Sequence, residues 1–455
     1  MRDLGRKKTE QDLTSGSIFD KVLAFAIPLA LTSMLQQLFN ATDVAIVGRF
    51  ASKQAMAAVG GNAPVVSLLV NFFVGLSVGA NVVIAKNIGA KAEKKANAAV
   101  HTALILSLIC GVFIAVVGNL IARPIIALLG VPEDTVSYSV TYLRLYFAGM
   151  PFIMLYNFEA AIFRSNGDTK KPLLCLSIGG IFNVFANLFF VIVLGMDVDG
   201  VAIATVLANC ISSMLLLRYL RKEDGVIHVD FKSLRIDKSI LKNILEIGLP
   251  SGLQAMVFSI SNLCVQSAVN SLGTDAMAGA SAAFNIEILV YFLINAFTQT
   301  CVTFVGQNYG AGNYARCREC IRKIMLTCMA VTAVISILIL LLKIPILKLF
   351  TTDPKVIDYA VLRIRVILYA ELVNVIMDNL SGAMRGLGKS LIPALVSLVA
   401  VCGTRITWVF TGFKIYHSWL SLMLLFPISW LISATVLTFM YFKVRKQMLP
   451  ASFSN

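Results

Sequence analysis

Along this chain, apolar runs of 20 or more residues alternate with short polar connections, and the alternation repeats twelve times. The runs cover residues 22–48, 56–82, 97–119, 136–163, 172–195, 199–219, 244–270, 278–303, 318–342, 358–384, 391–413 and 417–443. About 20 apolar residues cross a bilayer as a helix. An open strand at that depth leaves its backbone N–H and C=O groups unpaired, so each run is predicted to be helical. The connections carry turn chemistry: VPEDT at 131–135 and TTDPK at 351–355 break on Pro and charge, and SNGDTKKP at 165–172 ends on a helix-starting Pro. The longest polar stretch, residues 221–242, falls midway.

Composition narrows the class further. Of 455 residues, 58% are hydrophobic and 14% charged, and mean hydropathy is +0.82. A soluble domain carries roughly 25% charged residues, so a soluble enzyme or a nucleic-acid module is excluded. The net charge of +15 marks a membrane side instead of a nucleic-acid surface. With both termini inside, the tails and even-numbered connections, with the helix ends beside them, hold 28 Lys and Arg, and the odd-numbered connections hold 7. That bias predicts twelve spans with both ends cytoplasmic in the cell (inner) membrane. The first apolar run is too long for the core of a cleavable signal peptide.

The two halves repeat each other at an offset near 221. Ala55-Met56-Ala57 matches Ala276-Met277-Ala278, and Asn87, Gly89 and Ala90 match Asn308, Gly310 and Ala311. Tyr138, Arg144, Arg164, Gly167 and Pro172 match Tyr359, Arg365, Arg385, Gly388 and Pro393, and Pro28 matches Pro250. The predicted fold is therefore an all-α membrane protein of two six-helix lobes, 1–220 and 244–455, joined by a cytoplasmic linker, 221–243. An even number of spans per unit makes the repeat parallel, with its axis along the membrane normal. Such a plan suits alternating access about a midplane site.

Acidic residues inside spans cost roughly 2.5–3.5 kcal/mol on insertion scales and so ask for a reason. Asp43 is expected about 8 Å from the outer end of the first span, Asn187 about 12 Å and Thr205 about 9 Å from theirs, with Asn183 one turn deeper than Asn187. One carboxylate, two amides and a hydroxyl in one layer offer hard oxygen donors for Na⁺. A desolvated Asp there is equally suited to carrying a proton. A hydrogen-bonded cluster gluing the first, fifth and sixth spans fits the same residues. Glu287, Glu371 and Asp378 either line the C-terminal half of a cleft or pair with Arg365 or Arg405. Glu159 and Arg164 read as interfacial. Pro28 and Pro250 each sit inside the first span of a half, where a Pro removes a backbone bond and kinks the helix.

Other chemistries find little support. The three His (His101, His228, His417) are scattered, which argues against a membrane-embedded enzyme. Cys317 and Cys320 have no nearby His, so a zinc site is rejected, and most of the nine Cys lie in apolar runs as small hydrophobes. The 16 Met and 28 Phe suit a pliable apolar cavity, although most are accounted for by lipid contact.

Several stretches resemble the multidrug and toxic compound extrusion (MATE) family. IPLALTSMLQQLFNATDVAIVG (27–48) is similar to its first helix, RSNGDTKKP (164–172) and RGLGKSLIP (385–393) to its paired loop motifs, and NVFAN (183–187) with GVAIAT (200–205) to its fifth and sixth helices. The resemblance covers nearly the whole chain. It implies secondary antiport: export of amphipathic or cationic drugs, toxins and metabolites, driven by inward Na⁺ or H⁺, with no other cofactor. It implies a cation-binding or protonation site at Asp43, Asn183, Asn187 and Thr205, a bend of the first helix at Pro28, and substrate-facing positions at Gln36 and Tyr142. Glu287 and Glu371 are added as substrate-lining on their depth. In one branch a Glu on the seventh helix joins a C-lobe cation site; here that position is Phe258, and its partner acid falls at Asn374, so the pattern is closer to branches relying on the N-lobe. The rival is a lipid-linked oligosaccharide flippase of related plan, which requires a basic cavity for pyrophosphate. The expected partners are small organic cations and membrane lipid, with no nucleic acid and no obligate protein partner.

Overall fold

Helices account for every predicted window in the computed structural model, which describes residues 12–450. In chain order they are α1 (Ile18–Phe50), α2 (Lys53–Gly89), α3 (Glu93–Leu128), α4 (Glu133–Ala148), α5 (Met150–Ser165), α6 (Lys170–Leu188) and α7 (Val198–Lys222). There follow α8 (Lys238–Asn270), α9 (Thr274–Gly310), α10 (Tyr314–Leu347), α11 (Pro354–Gly386), α12 (Leu391–Val396), α13 (Thr404–Phe410), α14 (Gly412–Ile415) and α15 (Trp419–Met448). Among the described residues there is no strand. This is a multi-pass membrane protein.

Among the described residues, ten helices, two of them counted through their π-helical turns, are long and apolar enough to cross a membrane, and α4 with α5, bent by 47°, makes an eleventh. The bend falls at Gly149, where Pro151 just inside α5 has no N–H to continue the ladder. The remaining window is α11, 33 residues long but charged along its length. It keeps Arg363, Glu371, Asn374 and Asn379 buried inside the protein. By contrast α3 and α10 turn Leu108, Val112, Phe113, Val116, Val334, Ile337, Leu338 and Leu341 outward, as lipid contact requires.

The repeat is visible in the elements themselves. Helices α2 and α9 each run 37 residues and start 221 positions apart, at Lys53 and Thr274. Helices α3 and α10 start at Glu93 and Tyr314, and α4 and α11 at Glu133 and Pro354, at the same offset. Gly312 turns the chain into α10 with φ 71°, and its repeat mate Lys91 holds φ 54° at the turn into α3, a left-handed conformation unusual for a side chain bearing a Cβ.

Two compact units emerge. Of the described residues, one comprises Asp12 and 31–248, the other 13–30 together with 249–450. The changeovers lie within α1 just after Pro28 and within α8 just before Pro250. In the first unit, small residues bring helices together: a Cβ on Gly79 of α2 would meet the Ile244 carbonyl of α8 at 2.2 Å, and one on Gly111 of α3 would meet Pro151 at 2.5 Å. In the second unit, α9, α10, α11 and α15 enclose an apolar core that includes Phe297, Phe304, Met384 and Leu437. Phe25 of α1 also packs there, its ring edge-on to Phe304 at 5.8 Å between centroids.

Candidate cation site

The path to the site begins with two glycines. Gly179 and Gly180 of α6 lie so close to α7 and α1 that added Cβ atoms would stand 2.0 Å from Ser212 Oγ and 1.8 Å from the Phe39 ring. Asn183 and Asn187 follow at three and seven residues from Gly180 on the same helix face, and Asp43 is one turn on from Phe39. The close approach of α1 to α6 thus delivers the carboxylate to the two amides. Just beyond Asn187 the helix widens into a π-helical turn, Phe189–Val193, an irregularity often found beside functional groups.

The four residues predicted as a site form one hydrogen-bonded cluster. Asn187 Nδ2 donates to Asp43 Oδ1 at 2.5 Å and to Asn183 Oδ1 at 3.2 Å. Thr205 Oγ lies 3.2 Å from Asp43 Oδ2 and 3.0 Å from the Val201 carbonyl, and it accepts from Asn183 Nδ2 at 3.4 Å. Asp43 is 7% exposed and Asn187 fully buried. Asn187 Oδ1, also buried, has no hydrogen-bond partner, which leaves a spare acceptor beside the carboxylate. Among the described residues no group of three His, Cys, Asp or Glu gathers to hold a metal. One carboxylate with neutral oxygens balances a single positive charge, so the donor set fits a monovalent ion.

Tyr142 is buried in the same unit, where it packs with Val47, Ala55 and Val201. Its ring lies 6.1 Å from that of Tyr146. Tyr146 was not anticipated; its i+4 spacing from Tyr142 is the signal that marks it. Gln36 is exposed on α1, and Pro28 is buried within an α1 that remains one helix.

In the second unit the expectations need correcting. Glu287 pairs with neither Arg365 nor Arg405. Its carboxylate takes three hydrogen bonds of 2.9–3.1 Å from Arg363, both residues being under 8% exposed. Residues 363 and 365 lie about 200° apart around a helix, which sends Arg365 to the exposed face. Arg405 instead bonds Ser429 and Asn262 and lies over the Phe426 ring at 4.5 Å. Glu371 accepts from Asn374 Nδ2 at 2.9 Å, and Asp378 is half-buried. Phe258 packs against the apolar core. Glu159, expected at an interface, is wholly buried in the first unit, on a helix packed against α2, α3 and α7. Cys317 and Cys320 are buried free thiols, and Cys317 bonds the Val305 carbonyl.

The chain is similar over most of its length to known proteins. The MatE family model matches residues 28–189 and again 250–411, once per half. The chain is 28% identical over 436 residues to a probable multidrug resistance protein, YoeA, of Bacillus subtilis, covering 93% of this chain and 94% of that one. It is 24% identical to a probable multidrug resistance protein, NorM, of Thermotoga maritima, covering 87% and 86% of the two chains. Among solved structures, an outward-facing multidrug resistance transporter superposes with a TM-score of 0.89 at 23% identity, over 98% of this chain and 99% of that one.

Proposed function

The chain belongs to the MatE family, and on that premise we propose that it is a secondary antiporter of the cell membrane. It exports amphipathic or cationic organic compounds in exchange for Na⁺ or H⁺, with both termini cytoplasmic. It acts as a transporter and not as an enzyme, and its partners are small organic cations and lipid. The observation that carries this reading is the Asp43 cluster: the carboxylate is buried, held by Asn187 and Thr205, and flanked by the unpartnered Asn187 Oδ1.

The cluster accommodates two states of charge. Thr205 has one hydroxyl proton and two acceptors within reach, Asp43 Oδ2 and the Val201 carbonyl. With Asp43 ionised, the hydroxyl donates to Oδ2. With Asp43 protonated, the acid donates to Thr205 Oγ while the hydroxyl turns to Val201. In each state the hydroxyl and acid protons have an acceptor, and protonation or a bound cation removes the cost of the buried charge. For Na⁺, rotation of the Asn187 amide brings Oδ1 toward the ion and completes an oxygen shell with Asp43, Asn183 and Thr205. Binding of the ion and of drug to different conformations then couples their fluxes, because each ligand shifts the population toward the form it binds better. Gln36, Tyr142 and Tyr146 are the side chains we assign to substrate on the Asp43 side.

The flippase reading is less well supported. Arg363, Arg385 and Arg405 bond Glu287, Gln254, Ser429 and Asn262, so these guanidinium groups are engaged within the protein and not held open for a pyrophosphate. Ethidium efflux from proteoliposomes, with Na⁺ and pH gradients imposed separately, tests the proposal. Efflux accelerated by one of the gradients is expected, and equal rates with neither, either or both would refute coupled export.

A further inference from the structure

The polar connection between α7 and α8 is folded onto α3. Asn97 Nδ2 of α3 donates to the carbonyls of Val226 at 3.2 Å and His228 at 2.7 Å. The backbone N–H of Asp237 donates to Thr102 Oγ at 3.1 Å, Lys171 of α6 pairs with Glu223, and Ile227 and Val229 are buried. A short 3-10 turn, Phe231–Ser233, follows, and its Lys232 and Ser233 face residues of α3 across a pocket. Between them is a cavity of about 380 Å³ lined by Lys94, Asn97 and His101 on one side and Lys232, Ser233 and Arg235 on the other. The α3 residues recur at three and four positions, one helix face.

The lining of this cavity holds three cations and no carboxylate. Of the carboxylates nearby, Glu223 takes Lys171, while Asp230 and Asp237 accept backbone N–H groups and keep their charge, Asp230 within electrostatic reach of His101. Among the described residues, Lys94, Lys232 and Arg235 form no ion pair. His101, only 3% exposed, has no hydrogen-bond partner at Nε2. Three unpaired cations and a buried ring nitrogen around a cavity of headgroup size fit an anion with several acceptor oxygens. The cavity sits where α3 passes from charged to apolar sequence, and basic residues beside a membrane span attract anionic lipid.

We propose that this cavity binds a phosphoryl group, carried by an anionic phospholipid headgroup or by a soluble phosphate ester. The site lies apart from the Asp43 cluster and does not depend on the transport reading. Full-length protein, purified in detergent, is assayed in two arms. In the first, native mass spectrometry follows retention of phosphatidylglycerol against phosphatidylcholine. In the second, thermal unfolding follows addition of glycerol 3-phosphate or inorganic phosphate without lipid.

The variants are the exposed pair Lys232→Glu/Arg235→Glu, Lys94→Glu, and Lys443→Glu on α15 as a control for charge alone. Loss of two charge-assisted contacts weakens binding about tenfold or more. Wild type and the Lys443 control are expected to retain phosphatidylglycerol, and the cavity variants to lose it by that factor. A loss confined to the phosphate-ester arm assigns the site to a soluble ligand. Cavity variants indistinguishable from the control in both arms overturn the proposal. Asp43→Asn is expected to change neither arm, so the failure of one reading leaves the other standing.

Discussion

Gly180 of α6 and Phe39 of α1 are in a contact that no side chain at 180 can share, since a Cβ there would stand 1.8 Å from the ring. One turn on along each helix are Asn183 and Asp43. The spacing of α1 and α6 at this contact therefore sets the geometry of the ion site. Gly180→Leu is expected to push the helices apart at a cost of about 1–3 kcal/mol. The protein should insert but lose gradient-driven efflux, while drug-independent thermal unfolding shifts only modestly. Retained coupling in a well-folded Gly180→Leu protein would separate the contact from the site.

Thr205 holds Asp43 through its hydroxyl, 3.2 Å from Oδ2. Thr205→Val keeps the shape and removes the donor, leaving Asp43 Oδ2 unsatisfied when ionised at a cost of about 1–3 kcal/mol. The apparent ion dependence of efflux should shift by about tenfold or more, and Thr205→Ser should restore it. Equal ion dependence in the Val and Ser variants would argue that the hydroxyl plays no part.

Glu287 and Arg363 are a buried pair, and removal of one partner strands the other. Glu287→Gln is expected to destabilise the second unit by about 3–5 kcal/mol, read as a fall in the melting temperature and in membrane yield. Glu287→Gln with Arg363→Met should recover much of that loss. In whatever protein folds, the number of ions exchanged per drug should be unchanged. A changed ratio would bring Glu287 back as a coupling group.

Lys91 holds φ 54° where the repeat mate is Gly312 at φ 71°. Lys91→Gly relieves the left-handed strain and is expected to stabilise by a few tenths to about 1 kcal/mol. Gly312→Ala should destabilise by about 1–2 kcal/mol. Thermal unfolding of the two variants measures both signs.

Much of the architecture is legible from hydropathy because a bilayer imposes one rule, internal backbone pairing, on every span. The N-lobe cluster was also accessible, since depth along a helix follows from 1.5 Å per residue and puts Asp43, Asn183, Asn187 and Thr205 in one layer. Which acid meets which base was not. Glu287 finds Arg363 instead of Arg365 because the helical phase of α11 decides it, and phase relative to a neighbour is a packing result. Glu159 is buried for the same reason: its helix is covered on several sides, which hydropathy does not report. The break at Pro151 was missed because Pro at a helix start and Pro inside a span look alike in one dimension.

Drug-induced ion release from purified protein bears most directly on the central claim, that Asp43 is where the energising ion docks. Addition of a transported cation to wild type in weakly buffered medium should release a proton, or Na⁺ followed with a tracer, and Asp43→Asn should bind drug and release neither. Ion release from Asp43→Asn equal to that from wild type would contradict the account.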